Sequence, residues 1–265
     1  MRAVWITDIH LDFLSESACA AFFESITSQK SEAVFLTGDI SVAPSLVAHL
    51  RAMADAIQAP IYFVLGNHDF YHGSIATVRG AVSECSRSHA LLRYLPEVGV
   101  VPLTKSTAVV GHDGWGDGRY GDYARSSVRL SDHVLIEELT GLTRSQLRQQ
   151  LRHLGNEAAA YLQETLPKAL DQFRRVIVLT HVPPFKEACW YQGQVGNDEW
   201  LPFFACQAVG DLLRDLMERR PEQQLDVYCG HTHNPGAAHI LPNLKVFTGD
   251  AEFGAPQINQ IIAVD

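Results

Sequence analysis

Apolar residues fall along this chain in two rhythms. Short dense runs come first in each unit: Ala3 to Thr7, Ala33 to Thr37 and Ile61 to Leu65. Each is strand-length and apolar almost throughout, the pattern of a strand buried on both faces. The stretches between them have a helical period. About Ser15 to Gln29, Ala18, Phe22, Phe23 and Ile26 share a face, and Leu46, Val47, Leu50, Met53, Ala54 and Ile57 do so further on. Pro60 then opens the third strand. Strand, helix, strand, helix, strand predicts a parallel α/β layer.

The middle of the chain breaks this rhythm. Ala108 to Val110 predicts a short strand, and four glycines within the next eight residues, Gly111 to Gly118, predict a loop reaching Tyr120. Thr143 to Leu166 reads as a helix with Leu147, Leu151, Leu154, Ala158 and Leu162 as its apolar stripe. Pro167 falls near its end, with a further turn or two to Phe173. Residues 112–173 read as an elaboration on a single domain spanning 1–265. The core resumes with a strand at Val176 to Thr180. An aromatic loop at 185–204 (Phe185, Trp190, Tyr191, Trp200, Phe203, Phe204) and a helix of about Cys206 to Arg219 follow. Leu225 to Cys229 is another strand. The closing residues predict a β-meander over about 237–241, 245–248 and 258–264, with Pro242-Asn243 as its first turn.

Composition narrows the class. Hydrophobic residues make up 46% and charged residues 19% of the chain, the balance of an ordinary globular protein. No apolar run approaches the roughly 20 residues of a membrane span. Asp8 arrives too early for a signal peptide's apolar region, so the default expectation is cytoplasmic. Five cysteines without close pairs read as reduced structural thiols. A formal net charge of −9 with no basic run argues against long nucleic acid as a partner. It leaves room for a small phosphate ester, because bound metal would add positive charge that the sequence count omits.

The candidate chemistry lies at the strand ends. Asp8-x-His10 follows the first strand, Gly38-Asp39 the second, and Gly66-Asn67-His68-Asp69 the third. His181 ends a later strand, and Gly230-His231-Thr232-His233 follows another. Residues two apart in extended chain can point the same way, so Asp8 pairs with His10 and His231 with His233. Each block alone reads as a turn or cap. Together they offer two carboxylates, one amide and four imidazoles at successive strand ends, where open α/β folds gather their ligands. Oxygen with imidazole suits Mn, Fe or Zn better than Ca. Seven ligands exceed one tetrahedral ion and suit two ions sharing a bridge.

These five blocks, in this order, resemble the calcineurin-like metallophosphoesterase family. The resemblance spans residues 8 to 233 and implies a four-layer α-β-β-α sandwich with two mixed sheets. It also implies that Asp8, His10 and His233 hold a first metal, that Asn67, His181 and His231 hold a second, and that Asp39 bridges them. His68 is then expected beside the substrate, as a proton donor or phosphate stabiliser, and Asp69, grouped with it as catalytic, in an orienting role outside the ligands. The expected reaction is attack on phosphorus by a hydroxide shared between two ions, most readily Mn or Fe, with Zn also suitable.

Departures from subgroup patterns refine this. Gly38-Asp39-Ile40-Ser41-Val42-Ala43 lacks the Asp-Arg of the resembling Ser/Thr protein phosphatases, and Asp69 replaces their Glu. No tyrosine between Ile40 and Ala59 matches the one in purple acid phosphatases. His68 stands where hydrolases of nucleotide–lipid precursors often carry Arg. A small monoester or diester remains as substrate. Trp190, Tyr191 and Trp200 could stack on an organic group or pack their loop; Arg119 and Arg125 could clamp phosphate or lie at the surface; His112 and Asp113 could line the pocket or serve structure. The competing class is a non-catalytic scaffold on the same fold that binds protein partners. Such scaffolds tend to lose ligands or the histidine at 68, and all are present here.

Overall fold

The central strands are apolar on both faces, and the two faces go to different places. The computed structural model describes residues 1–265. Its strands are β1 (Arg2–Ile6), β2 (Ala33–Thr37), β3 (Ile61–Val64), β4 (Leu92–Tyr94), β5 (Val101–Pro102), β6 (Thr107–Gly111), β7 (Arg175–Leu179), β8 (Trp190–Tyr191), β9 (Gln194–Val195), β10 (Gln224–Cys229), β11 (Gly236–Leu241), β12 (Leu244–Thr248) and β13 (Gln260–Ala263). Its helices are α1 (Glu16–Ser28), α2 (Ala43–Ile57), α3 (Ile75–Ser88), α4 (Leu95–Val98), α5 (Asp132–Leu135), α6 (Arg144–Leu170), α7 (Leu201–Phe204) and α8 (Gln207–Glu218).

Two mixed sheets result. One runs β13-β1-β2-β3-β4 and the other β11-β12-β10-β7-β6-β5, with β8-β9 a separate hairpin. β1 to β4 are parallel, as are β12, β10, β7 and β6, and antiparallel strands close the edges at β13, β11 and β5. Strand alternation sorts the core into layers. Val4, Ile6, Val34, Leu36, Ile61 and Phe63 pack against α1, α2 and α3. Their neighbours Ala3, Trp5, Ala33 and Phe35 meet Ile177, Leu179 and Tyr228 of the second sheet. Val176, Val178, Leu225 and Val227 face α6 and α8. This is the α-β-β-α sandwich. No helix is long and apolar enough to cross a membrane. All five cysteines are buried and unpaired.

Two expectations from the sequence change. The helix expected over Thr143 to Leu166, with a further turn or two to Phe173, is a single 27-residue helix that runs through Pro167 and ends at Leu170. The missing N–H removes one bond near the C-terminus. Leu166, Ala169 and Leu170 keep the apolar stripe buried past it. The closing residues also form no three-stranded meander. β11 and β12 pair, but β13 leaves them and adds antiparallel to β1 in the other sheet. Ile262 and Val264 reach the inter-sheet layer there, beside Trp5.

Candidate active site

Five parallel strands, β1, β2, β3, β7 and β10, release their chains at one edge of the sandwich. The loops there hold unusual backbone. Asp8, His10, Asp39, His231 and His233 all have positive φ, at 49°, 39°, 52°, 71° and 54°. Such conformations cost on the order of 1–3 kcal/mol each for residues with a side chain, and cluster where function requires them. Close backbone approach adds to this. A Cβ on Gly230 would lie 2.0 Å from Asp8 Oδ2, and one on Gly66 would lie 2.1 Å from Asp39 Oδ1.

The side chains converge in two groups. Donor atoms of Asp8, His10, Asp39 and His233 all lie within 4.8 Å of one another. His10 Nε2 approaches His233 Nε2 at 3.2 Å, and His233 Nε2 lies 3.3 Å from Asp8 Oδ1. Beside this group, His181 Nε2 lies 3.0 Å from Asn67 Oδ1, 3.2 Å from His231 Nδ1 and 3.4 Å from Asp39 Oδ1. Asp39 serves both groups, since its other oxygen is 3.9 Å from His10 Nε2.

Outer contacts aim these atoms. His181 Nδ1 donates to the Thr37 carbonyl at 2.8 Å, which turns Nε2 inward. His231 Nε2 donates to the Phe203 carbonyl at 3.2 Å, which turns Nδ1 inward. His231 N–H donates to both Asp8 oxygens at 3.0 and 3.1 Å, and Thr7 Oγ1 donates to one at 2.6 Å. Burial sets much of the electrostatics. It lowers His10 and His231 to about 4, so both are neutral near pH 7. It opposes charge on His181 too, but Asp39 and Asp8 overcome it and raise that imidazole to about 10. Burial would raise Asp39 as well, yet His181 and His68 hold it well below the carboxylate range.

The sequence matches the family described as calcineurin-like phosphoesterase over residues 1–235. The chain belongs to that family. No curated protein matches it. Among solved structures, a phosphopantetheinyl hydrolase from Mycobacterium tuberculosis is similar at 15% identity and TM-score 0.67, covering 95% of this chain and 89% of that one. A dimetal phosphatase from Danio rerio is similar at 13% identity and TM-score 0.61, covering 97% and 89%. At these identities the likeness is one of fold.

In this calcineurin-like phosphoesterase, His68 and Asp69 part company. The His68 ring stacks on Tyr71 at 4.2 Å, its Nε2 is 3.9 Å from Asp39 Oδ2, and its side chain is partly open to solvent. Asp69 is fully buried. It accepts from Ile40 and Ser41 N–H at 2.8 and 2.9 Å and from Gly66 N–H at 2.8 Å. Asp69 therefore ties the loop carrying Asp39 to the loop carrying Asn67, beneath the cleft. Burial raises its carboxyl well above the usual range, Asp39 adds to this, and the amides of Gly66 and Ser41 pull against it.

Several residues with no motif signal join the site. Asp132 Oδ1 accepts from Asn67 Nδ2 at 2.9 Å and from Tyr71 Oη at 2.7 Å, turning the Asn67 oxygen toward His181. Phe253 packs 4.4 Å from the His10 ring and 4.9 Å from His233, and Phe13 lies 5.1 Å beyond it. Both phenylalanines are exposed, at 49% and 58%, and form one wall of the cleft. On the other side the Phe204 ring lies 4.5 Å from His231.

The remaining candidates lie outside the donor cluster. Arg119 is held by buried Asp117 at 2.7 Å and by Asn156 at 2.6 Å. The Arg125 side chain is 90% exposed and 3.7 Å from Asp122. Asp113 is buried and accepts from Leu65 N–H, Arg79 Nε and Tyr94 Oη at 2.9, 2.9 and 2.8 Å, while its carbonyl accepts from His181 N–H at 2.9 Å. It joins the ends of β3 and β7 from behind.

His112 is neutral and buried beside it, its Nδ1 accepting from Gly114 N–H at 3.1 Å. Burial lowers it to about 4, against the pull of Asp113. The unfolded chain therefore takes up this proton first, and the stability tied to neutral His112 is full above about pH 6.5 and lost as pH falls toward 4. The loss is on the order of 3 kcal/mol. In His112→Asn, which keeps an acceptor near Nδ1, that loss is absent. The wild type's lead over the variant in denaturant unfolding is thus expected to shrink by about that amount between pH 7 and 4; a constant gap would remove His112 from the acid response.

Proposed function

We propose that this chain is a metal-dependent phosphoesterase acting on small phosphate esters, with Asp8, His10, Asp39 and His233 holding one cation and Asp39, Asn67, His181 and His231 a second. The observation that carries the reading is the meeting of four donors, Asp8, His10, Asp39 and His233, with Asn67, His181 and His231 beside them across Asp39, in a chain of this family. Imidazole and carboxylate atoms face one another at 3.2 to 3.4 Å with few hydrogens to share. Four imidazoles, two of them held neutral by burial at His10 and His231, with two carboxylates and one amide make a donor set that fits Mn, Fe or Zn.

Two such ions, once bound, would supply Lewis acidity for phosphoryl oxygens and would lower the pKa of a bound water. The chain's own groups do the rest. Asp39 places one oxygen toward each group and so fixes their separation. Thr37, Phe203 and Asp132 lock the tautomers and the amide orientation of His181, His231 and Asn67. His68, at the solvent side of Asp39, is placed to protonate the leaving oxygen or to hold a phosphoryl oxygen. Phe13 and Phe253 keep the His10 side of the cleft apolar.

Purified chain loaded with Mn²⁺ is expected to hydrolyse aryl phosphate monoesters or diesters and to lose that activity on chelation. Full metal content with no turnover on either class would favour the scaffold reading instead.

Asp132 offers a sharper test of the ligand set. Asp132→Ala frees the Asn67 amide, and outer-shell losses of this kind usually cost about 10- to 100-fold in metal affinity. The expected loss falls on the second position, with the first still filled, when uptake is followed by equilibrium dialysis. Asp132→Asn, which retains an acceptor, should recover most of it. Equal weakening at both positions would argue against Asn67 as a ligand of one ion.

A further inference from the structure

A second cavity opens beside the donor cluster and is unlike it in chemistry. It holds about 330 Å³, in the range of small-ligand sites, and none of its lining residues is charged. It begins at Thr232, between His231 and His233, and continues along an aromatic line. The Phe204 ring lies 4.5 Å from His231, and Trp200 stands edge-on to Phe204 at 5.6 Å. The β8–β9 hairpin closes the far side with Trp190 and Tyr191. Asn234, the residue after His233, accepts from Gln192 N–H at 3.0 Å, so the hairpin is tied to the loop that bears both histidines.

The aromatic side chains here divide by burial. Trp190 is a fixed floor, since a Cβ on Gly236 would lie 2.3 Å from its indole. Tyr191 and Trp200 are 61% and 46% exposed, with ring surface left to solvent at the mouth. Packing of the loop does not require rings so exposed. An uncharged aromatic cavity cannot hold the phosphate, which belongs with the cations. It can hold the organic part of the same molecule, and open π faces favour a flat one.

We infer that this cavity binds a planar aromatic leaving group of the substrate, an aryl ring or a nucleobase, by stacking on Trp200 and Tyr191. The inference deepens the phosphoesterase reading and rests on it for the phosphate's place, but the cavity's own affinity is separable. Stacking against one such ring is commonly worth roughly tenfold or more in binding.

The test has a binding arm and a turnover arm. In the first, metal-free chain is titrated by calorimetry with adenosine, phenol and glycerol. Adenosine or phenol is expected to bind and glycerol not, and Trp200→Ala is expected to weaken the aromatic ligand roughly tenfold or more, with Trp200→Phe recovering most of it. Adenosine well ahead of phenol identifies a nucleobase site; parity identifies a general aryl site. In the second, Mn²⁺-loaded chain is given the phosphate monoester and methyl diester of each alcohol. Trp200→Ala is expected to lower kcat/KM for the aromatic esters roughly tenfold more than for the glycerol esters, chiefly through KM. Wild-type chain that binds neither aromatic ligand, or a variant equally impaired on all esters, would overturn the inference. Trp200-dependent binding without hydrolysis of any ester would leave the cavity assignment standing and remove the phosphoesterase reading.

Discussion

Replacing His68 with alanine is expected to lower kcat by about 10²-fold or more while metal content stays unchanged. The reason is position. His68 Nε2 lies 3.9 Å from Asp39 Oδ2, outside the two donor groups, and its ring stacks on Tyr71 with its edge against His10. Its backbone N–H donates to Asp39 Oδ1 at 2.8 Å, a contact that survives truncation to alanine. The variant therefore keeps Asp39 oriented and loses only the imidazole. The loss should depend on the leaving group. A nitrophenolate leaves without a proton and should suffer less than an alkoxide, which needs one. Equal turnover by wild type and variant on an alkyl ester would take His68 out of the reaction. A large but uniform loss would assign it to the phosphoryl oxygens instead.

Asp39→Asn should be more severe, because it touches both groups at once. One Asp39 oxygen lies 3.4 Å from His181 Nε2 and the other 3.9 Å from His10 Nε2. Asparagine keeps the shape and an oxygen acceptor for the His68 N–H. It removes one of the two carboxylates among the seven proposed ligands, and one end of its amide is a donor that repels a cation. The expected outcome is weakened occupancy at both positions and activity reduced by at least about 10²-fold, the scale of losing a central electrostatic group. Asp8→Asn, by contrast, should chiefly empty the first position. Elemental analysis finding both ions at full occupancy in Asp39→Asn would contradict the bridge.

The parts of this protein legible in its sequence are those where physics acts locally. Runs such as Ala33–Thr37 and Ile61–Val64 are apolar on both faces because both faces are buried, and they appear as strands at nearly the expected bounds. Ser15 and Thr143 cap α1 and α6, so those helices begin where the pattern placed them. Where local signals mislead, a long-range contact wins. Pro167 does not stop α6, because the helix is already packed on α8 and the second sheet. β13 abandons its sequence neighbours for an open edge beside β1. Helix α3 (Ile75–Ser88) carries its buried residues among many polar ones, and the pattern drew no helix there.

The site divides in the same way. Its donor residues announce themselves because strand-end motifs carry them. Asp132 and Phe253 announce nothing, because a lone aspartate or phenylalanine has no spacing to read. Each acquires its place only when segments far apart in the chain meet, as Asp132 does with Asn67 across 65 positions. Arg119 shows the converse: a cation that reads as a phosphate clamp is already held by buried Asp117.

By itself the sequence determined the alternation of buried strands and amphipathic helices and the list of groups able to meet a cation, since periodicity and side-chain chemistry are properties of neighbouring residues. Only the tertiary structure decided which oxygen of Asp39 serves which group, that Asp69 works beneath the cleft rather than in it, and that the aromatic loop splits into buried support and open cavity wall. Those outcomes depend on distances between segments that no local pattern encodes.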